Sequence, residues 1–267
     1  MIDVQSSPDT REIPLEKVGV KRLQYPVQVL DKQNGTQSTT ATVDLFVNLP
    51  HHFKGTHMSR FVEIFHRHSQ SLGRRQFLDM LQEIRTSLDA ERAFGTMHFL
   101  FFMTKKAPVS GECGVMSYEC EYEAEVSADS ERFLLKISVP VTTVCPCSKA
   151  ISQHGAHNQR GVVTVTLENT SLFWMEDVIA LIEQSASCGL YSVLKRPDEK
   201  YVTEHAYENP RFVEDVVREV YLALEHFEGA EKPFSWFSVE CENFESIHNH
   251  NAYALTQKRP VSDGGRA

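Results

Sequence analysis

The sequence predicts an α+β protein of two modules, each with helices on one face of an antiparallel sheet. Alternating apolar and polar residues indicate strands, and apolar residues at three- and four-residue spacing indicate helices. The order strand, strand, helix, helix, strand, strand occurs twice within the 267 residues, and the second occurrence repeats the pattern without repeating the residues. The predicted divisions are an N-terminal arm at 1–16, a first module at 17–128, a second module at 129–258 and a disordered tail at 259–267.

The first module opens with a predicted hairpin. Val18–Asp31 and Ser38–Asn48 alternate apolar and polar residues, and Asn34 followed by Gly35 is a strong hairpin-turn signal between such runs. The remaining predicted elements are the amphipathic helices Ser59–His68 and Arg75–Ala90 and the strands Met97–Met103 and Gly114–Ala128.

The second module repeats this order around a loop with unusual chemistry. Its predicted strands are Arg132–Thr143, Gly161–Glu168, Pro233–Asn243 and Asn251–Gln257. Its predicted helices are Glu176–Leu194 and Arg211–Glu225.

Composition narrows the class of protein. The formal net charge of −9 argues against a general nucleic-acid binder. No run approaches the roughly 18 apolar residues of a membrane span, and the N-terminus lacks a basic start and an apolar stretch. Six cysteines without framework spacing fit reduced thiols. The sequence therefore predicts a cytoplasmic protein that does not bind membranes.

The loop within Pro140–Arg160 combines several metal-binding residue types. Cys145 and Cys147 offer thiolates, and His154 and His157 follow closely enough to reach the same ion. Thiolate with imidazole suits zinc or a similar divalent metal. Because Cys-x-Cys is less specific than a paired Cys-x-x-Cys signature, a buried structural cysteine beside a polar turn stays an alternative, as does a redox dithiol.

Five segments carry a resemblance to a known family. They are Val144–Lys149, Gly155–Arg160, Lys195–Thr203, Asn209–Asp215 and Glu245–His250. The first two read Val-Cys-Pro-Cys-Ser-Lys and Gly-Ala-His-Asn-Gln-Arg, and together the five resemble the signature of the type IB GTP cyclohydrolases, which open the folate pathway. The resemblance implies a tunnelling fold whose sheets join between subunits into an oligomeric barrel. It also implies a homotetramer with active sites at subunit interfaces.

The resemblance implies a divalent metal held by Cys147, His157 and Glu199, with Cys147 also essential for catalysis. Three protein ligands with an open position are typical of a catalytic metal site. Zinc, manganese and iron(II) all stay open as the native ion. Glu199 by itself would be interpreted as a solvated residue of a polar loop. Cys145 is expected to be structural, and His154 lies outside the matched motif.

Further catalytic and binding roles also follow from the resemblance. His248 and His250 would share one side of an extended strand, and they are assigned general acid–base catalysis with Glu245 as an orienting group or extra ligand. Glu214 would anchor guanine, since one carboxylate can accept bonds from N1–H and the exocyclic amine. The alternatives are a polar strand end for the histidines and a helix-dipole role for Glu214. The candidate triphosphate contacts are Lys149, Arg160, Lys195 and Arg196.

The implied reaction converts GTP and water to 7,8-dihydroneopterin triphosphate and formate. One alternative is a related purine or pterin enzyme of the same fold that forms a cyclic phosphate, which phosphate analysis of the product would distinguish. Another is a non-catalytic, zinc-stabilised scaffold. The scaffold predicts that chelation lowers the melting temperature strongly and that no nucleotide binds.

Overall fold

The structure is a computed structural model that describes residues 10–51, 53–168 and 170–258. Residues 1–9 of the predicted arm and the predicted tail at 259–267 lie outside the described residues. The strands are β1 (Leu15–Asp31), β2 (Gly35–Leu49), β3 (Ala93–Lys106), β4 (Cys113–Val126), β5 (Glu131–Val144), β6 (Asn158–Glu168), β7 (Cys188–Gly189), β8 (Trp236–Asn243) and β9 (Ala252–Gln257). The helices are α1 (Met58–His68), α2 (Arg74–Ser87), α3 (Pro146–Ile151), α4 (Met175–Ser185), α5 (Arg196–Glu208) and α6 (Val213–Glu225).

The predicted α+β class is confirmed, but one predicted helix is wrong. A single helix over Glu176–Leu194 was expected, whereas α4 ends at Ser185. The chain leaves the helix because Cys188 and Gly189 pair with Thr142 and Val141 of β5. The apolar residues that continue the helical pattern beyond α4 therefore form a short strand and a loop.

The described chain divides into two compact units. One unit comprises residues up to 100 together with 120–135, and the other comprises 101–119 together with 136 onward. Strands β3, β4 and β5 each contribute residues to both units. The modules expected at 17–128 and 129–258 stay a prediction.

In the first unit, the strands follow the order β1-β2-β3-β4-β5. The β1–β2 hairpin closes with Asp31 opposite Gly35, which has a φ of +77° that favours glycine. Alternate residues of β2 are buried, and so are Phe61 of α1 and Phe77 of α2. At Gly95 of β3, a Cβ would lie 2.9 Å from a methyl carbon of Leu81, so the missing side chain lets α2 approach the sheet closely.

In the second unit, the order is β3-β4-β5-β6-β8-β9, with β7 paired to β5. Strands β6, β8 and β9 are antiparallel, with Val165 opposite Val239 and Cys241 opposite Ala254. Buried residues of α4 and α6 contribute to the core, including Ile182 and Val220. Among the described residues, no helix combines the length and apolar character needed to cross a membrane.

Candidate active site

The segment with two cysteines was expected to be a loop, but it contains the short helix α3. Pro146 occupies its first position, where a missing N–H costs little and the fixed φ suits a helix. Cys147 follows and is exposed. The Cys145 N–H donates to the His157 carbonyl at 3.1 Å, and the His157 N–H donates to Ser148 Oγ at 3.1 Å. The main chain of His157 is therefore fixed against the first turn of the helix that carries Cys147.

His157 and Glu245 are brought together by different elements. His157 Nδ1 lies 4.0 Å from Glu245 Oε2, and the two side chains are only 16% and 11% exposed. Glu245 reaches this position because the Phe244 N–H donates to the Arg160 carbonyl at 2.9 Å, which extends the pairing of β8 with β6. Two of the residues singled out from the sequence, His157 and Glu245, thus lie close together.

Hydrogen bonds orient the His157 ring. Gln159 Nε2 donates to Thr143 Oγ1 at 2.9 Å, which leaves Gln159 Oε1 as the acceptor that lies 3.0 Å from His157 Nδ1. Nδ1 is therefore the protonated nitrogen of the neutral ring, and Nε2 carries the lone pair. Gln159 is buried, and sequence reasoning gave it no role.

Glu199 does not lie in a polar loop as expected, but in the first turn of α5. A new helix begins there at Arg196, with Pro197 as its second residue, and the Glu199 N–H donates to the Lys195 carbonyl at 2.9 Å. The Glu199 side chain is exposed, whereas that of the preceding residue, Asp198, is buried. Burial raises the pKa of Asp198, but hydrogen bonds from Ser110, Lys195 and Val109 outweigh it and hold that pKa well below its usual range.

His248 and His250 are not on a strand. Residues 246–250 form a bend, because the chain must reverse between β8 and β9, and both side chains are exposed. Their rings are nevertheless stacked, with centroids 5.1 Å apart and an interplanar angle of 16°. The expected extended geometry is wrong, although the two rings do share one side of the chain.

The binding candidates lie on β6, in the last turn of α3 and at the starts of α5 and α6. Glu214 is exposed in the first turn of α6, the helix expected there. The Lys149 ammonium donates to the Tyr207 carbonyl and lies 4.4 Å from the centroid of the Tyr207 ring. Lys149 is therefore engaged within the chain. The exposed cationic candidates are Arg160, Lys195 and Arg196.

The donor set suits a divalent metal by its chemistry. A thiolate at Cys147, an imidazole Nε2 lone pair at His157 and a carboxylate at Glu199 are ligands that zinc, manganese and iron(II) accept. Across residues 10–51, 53–168 and 170–258, no group of three or more His, Cys, Asp or Glu side chains is placed to hold an ion. The ligand assignment therefore stays a prediction.

A cavity of about 250 Å³ lies in the second unit beside the strand β7. Its lining includes Thr142, Asn158, Cys188, Tyr191, Val202 and Ala206. Burial, together with the charges of Cys188 and Glu183, raises the pKa of Tyr191 to about 12, which keeps its hydroxyl protonated at neutral pH. Sequence reasoning missed this cavity, because its lining comes from strand, loop and helix positions separated by more than sixty residues of the chain.

Comparison with known proteins identifies the family. Residues 1–254 match the family described as type I GTP cyclohydrolase folE2. The GTP cyclohydrolase FolE2 of Pelobacter propionicus is 51% identical over 257 residues, covering 96% of this chain and 98% of that protein. The GTP cyclohydrolase FolE2 of Akkermansia muciniphila is 53% identical over 259 residues, covering 96% and 97% respectively.

Among solved structures, uricase from Arthrobacter globiformis is similar in fold, with a TM-score of 0.52 over 94% of this chain and 95% of that one. The sequence identity is 8%, so this likeness concerns the fold alone, which is the tunnelling fold. The resemblance found in the five sequence segments is confirmed. The chain belongs to the type I GTP cyclohydrolase FolE2 family.

Proposed function

We propose that the chain is a GTP cyclohydrolase I that converts GTP and water to 7,8-dihydroneopterin triphosphate and formate, the first step of folate biosynthesis. Its family membership over residues 1–254 gives the reaction class. The geometric observation that supports the proposal best is the convergence on His157, which is tied to the Cys147 helix and lies 4.0 Å from Glu245. Residues from distant sequence positions are thereby brought together in one place.

The family is generally metal-dependent, and the residues that would hold the ion here are Cys147, His157 and Glu199. When bound, a divalent ion supplies Lewis acidity that makes water a nucleophile near neutral pH. Zinc, manganese and iron(II) are all compatible with these donors. His157 contributes a ring whose free nitrogen is fixed by Gln159, so little ordering would be required when the ion binds.

The remaining steps require proton transfer and orientation by the chain itself. His248 and His250 are exposed and stacked, and one of them would donate a proton to the imidazole-ring nitrogen of the purine as its bond to C8 breaks. Glu245, beside His157, would serve as an orienting group or as an extra ligand. Glu214 would accept bonds from N1–H and the exocyclic amine of guanine, which fixes the base relative to the reacting carbon.

The triphosphate needs cationic partners. Arg160, Lys195 and Arg196 are exposed and available, whereas Lys149 would first have to release the Tyr207 carbonyl. We expect the three exposed residues to contribute most to triphosphate binding.

The assembly and location follow from the same proposal. We expect a homotetramer with active sites at subunit interfaces, which sedimentation velocity would reveal as a single species of four protomers. Within the described residues, none of the six cysteines forms a disulfide, which supports a reducing compartment such as the cytoplasm.

The test uses metal-loaded protein kept free of oxygen and incubated with GTP. Formate release and, after oxidation, a fluorescent pterin are the expected products. Cys147→Ala should lose formate release, while Cys113→Ala should keep it, because Cys113 is also exposed but lies outside the motif. Normal turnover in Cys147→Ala would remove the proposed role of this thiolate, and a cyclic phosphate in the product would favour the related enzyme class.

A further inference from the structure

The carboxylate of Asp198 is the most completely bonded acidic group near the proposed metal ligands. It is fully buried and accepts four hydrogen bonds. Val109 N–H and Ser110 N–H donate to Oδ1, each at 2.8 Å. The Ser110 hydroxyl donates to Oδ2 at 2.6 Å, and Lys195 N–H donates to the same oxygen at 2.8 Å.

These bonds leave the Asp198 carboxylate with no lone pair available to bind a metal ion. A carboxylate has about four lone-pair sites, and each is occupied here by a protein donor. Asp198 therefore cannot bind an ion without breaking contacts in a buried place, which would be costly. Its role must be exerted through the groups that it holds.

The bonds exceed what a helix cap needs. Capping of α5 requires only the bond to Lys195 N–H, whereas the other three go to a turn that lies 88 and 89 positions earlier in the chain. Asp215 occupies the equivalent position in α6 and also accepts a cap bond, from Phe212 N–H at 3.0 Å. Its side chain is 35% exposed, and its other bond is to Arg218, one turn along the same helix.

Glu199 follows Asp198 directly, so its main chain is fixed by the same contacts. The Glu199 N–H donates to the Lys195 carbonyl at 2.9 Å, and its own carbonyl accepts from Thr203 Oγ1 at 2.7 Å. The carboxylate of Glu199 is exposed, and within the described ranges it has no hydrogen bond or ion pair to another side chain. The backbone is therefore held rigidly while the side chain is left available.

We propose that Asp198 is a positioning residue, which locks the first turn of α5 onto the Val109–Ser110 turn so that Glu199 is presented to the metal ion. This inference rests on the proposed function, in which Glu199 is a ligand. Outer groups that orient metal ligands contribute about 10- to 100-fold to metal affinity. Loss of the Asp198 contacts should weaken metal binding by a factor in that range.

The test measures zinc affinity of the full chain without any catalytic assay. Metal-free protein is titrated with Zn²⁺ in competition with a chromophoric chelator, for wild type, Asp198→Asn, Glu199→Gln and the double variant. We expect Asp198→Asn to weaken binding about 10- to 100-fold. The double variant should bind no more weakly than Glu199→Gln alone, because Asp198 acts through Glu199.

Two further variants control for folding. Asp215→Asn makes the same substitution at the equivalent position of α6, where the amide oxygen can still accept the Phe212 N–H bond, and it should leave zinc affinity unchanged. Ser110→Ala removes one of the four bonds and should weaken binding in the same direction but by less, so it replaces Asp198→Asn if circular dichroism shows that the latter does not fold.

The titrations distinguish failure of the positioning role of Asp198 from failure of the ligand role of Glu199. Unchanged zinc affinity in folded Asp198→Asn and Ser110→Ala, or a loss that adds fully to that of Glu199→Gln, would overturn the positioning role while the proposed function stands. Unchanged affinity in Glu199→Gln would overturn the ligand role itself, and this inference with it.

Discussion

Replacement of Lys105 by methionine should be strongly destabilising, because Lys105 neutralises a largely buried carboxylate. Its ammonium lies 2.6 Å from Glu183 Oε2, and the two side chains are 17% and 13% exposed. The same ammonium donates to the Leu190 carbonyl at 2.7 Å and lies 4.2 Å from the centroid of the Tyr191 ring. Methionine has a similar length but supplies none of these interactions.

The expected loss of stability follows from the charge left behind. Removal of one partner from a buried ion pair costs about 3–5 kcal/mol, and the Leu190 carbonyl also loses a charge-assisted bond. Tyr118 offers Glu183 little compensation, because its hydroxyl is a single donor at 3.1 Å. Burial and the Glu183 charge raise the pKa of Tyr118 well above its usual range. We therefore expect Lys105→Met to lower the free energy of unfolding by about 3 kcal/mol.

The assay is urea denaturation followed by circular dichroism at pH 7 and at one fixed protomer concentration, since association would otherwise shift the midpoint. Lys200→Met is the matched control. Lys200 pairs with Glu204 at 2.9 Å, but these side chains are 74% and 56% exposed, so the control should lose at most about 0.5 kcal/mol.

The double variant Lys105→Met/Glu183→Gln separates loss of packing from the burial of an unpaired charge. Because it removes that charge, it should recover on the order of 1 kcal/mol or more relative to Lys105→Met. The role assigned to Lys105 would be wrong if Lys105→Met lost no more stability than the control, or if the double variant were less stable than the single one.

Three other perturbations test the first unit by urea denaturation. Phe77→Ala should lower the free energy of unfolding by about 3–5 kcal/mol, because Phe77 is fully buried and makes edge contacts with Tyr122 and Phe133. A loss no larger than that of an alanine substitution at an exposed position would contradict this packing. Gly35→Ala should lower the free energy of unfolding by about 1 kcal/mol or more, because alanine would have to adopt a φ of +77°, although no atom crowds the site. Burial raises the pKa of Asp31, but hydrogen bonds from Asn34, Gln37 and Gln33 outweigh it and lower that pKa below its ordinary 3.8. The contribution of Asp31 to the free energy of unfolding should therefore be complete above pH 3.8 and fade as the pH falls through the lowered pKa. The stability difference between wild type and Asp31→Asn should accordingly shrink on acidification. A constant difference would contradict the assignment.

Patterns within single elements predicted most of the fold. The β1–β2 hairpin was predictable because Asn34-Gly35 interrupts two alternating runs, and β2 does alternate buried and half-buried residues. The two amphipathic helices of the first unit also follow directly from their apolar spacing. The end of α4 was not predictable in this way, since it depends on pairing of Cys188 and Gly189 with a strand more than forty residues earlier.

The candidate site was predictable only where residue type implies chemistry. Cysteine, histidine and glutamate at Cys147, His157 and Glu199 could be singled out from the sequence and the resemblance. Gln159 could not, because an amide in a strand has no distinctive signal, although here it fixes the tautomer of His157. Asp198 did have one signal, an acidic residue at the third position of a helix that has proline near its start.

Neighbouring residues in these motifs divide two tasks between them. Ser148 uses its hydroxyl to hold His157 N–H while Cys147 is exposed, and buried Asp198 holds two chain segments while Glu199 is exposed. For Asp198 this division has a physical reason, since its four hydrogen bonds occupy about all the lone-pair sites of the carboxylate and leave none for an ion or a substrate. In both motifs an exposed group in the first turn of a helix therefore has a neighbour that fixes nearby main chain. Substitution of Ser148 or Asp198 should change the geometry of binding, whereas substitution of Cys147 or Glu199 should change the chemistry alone.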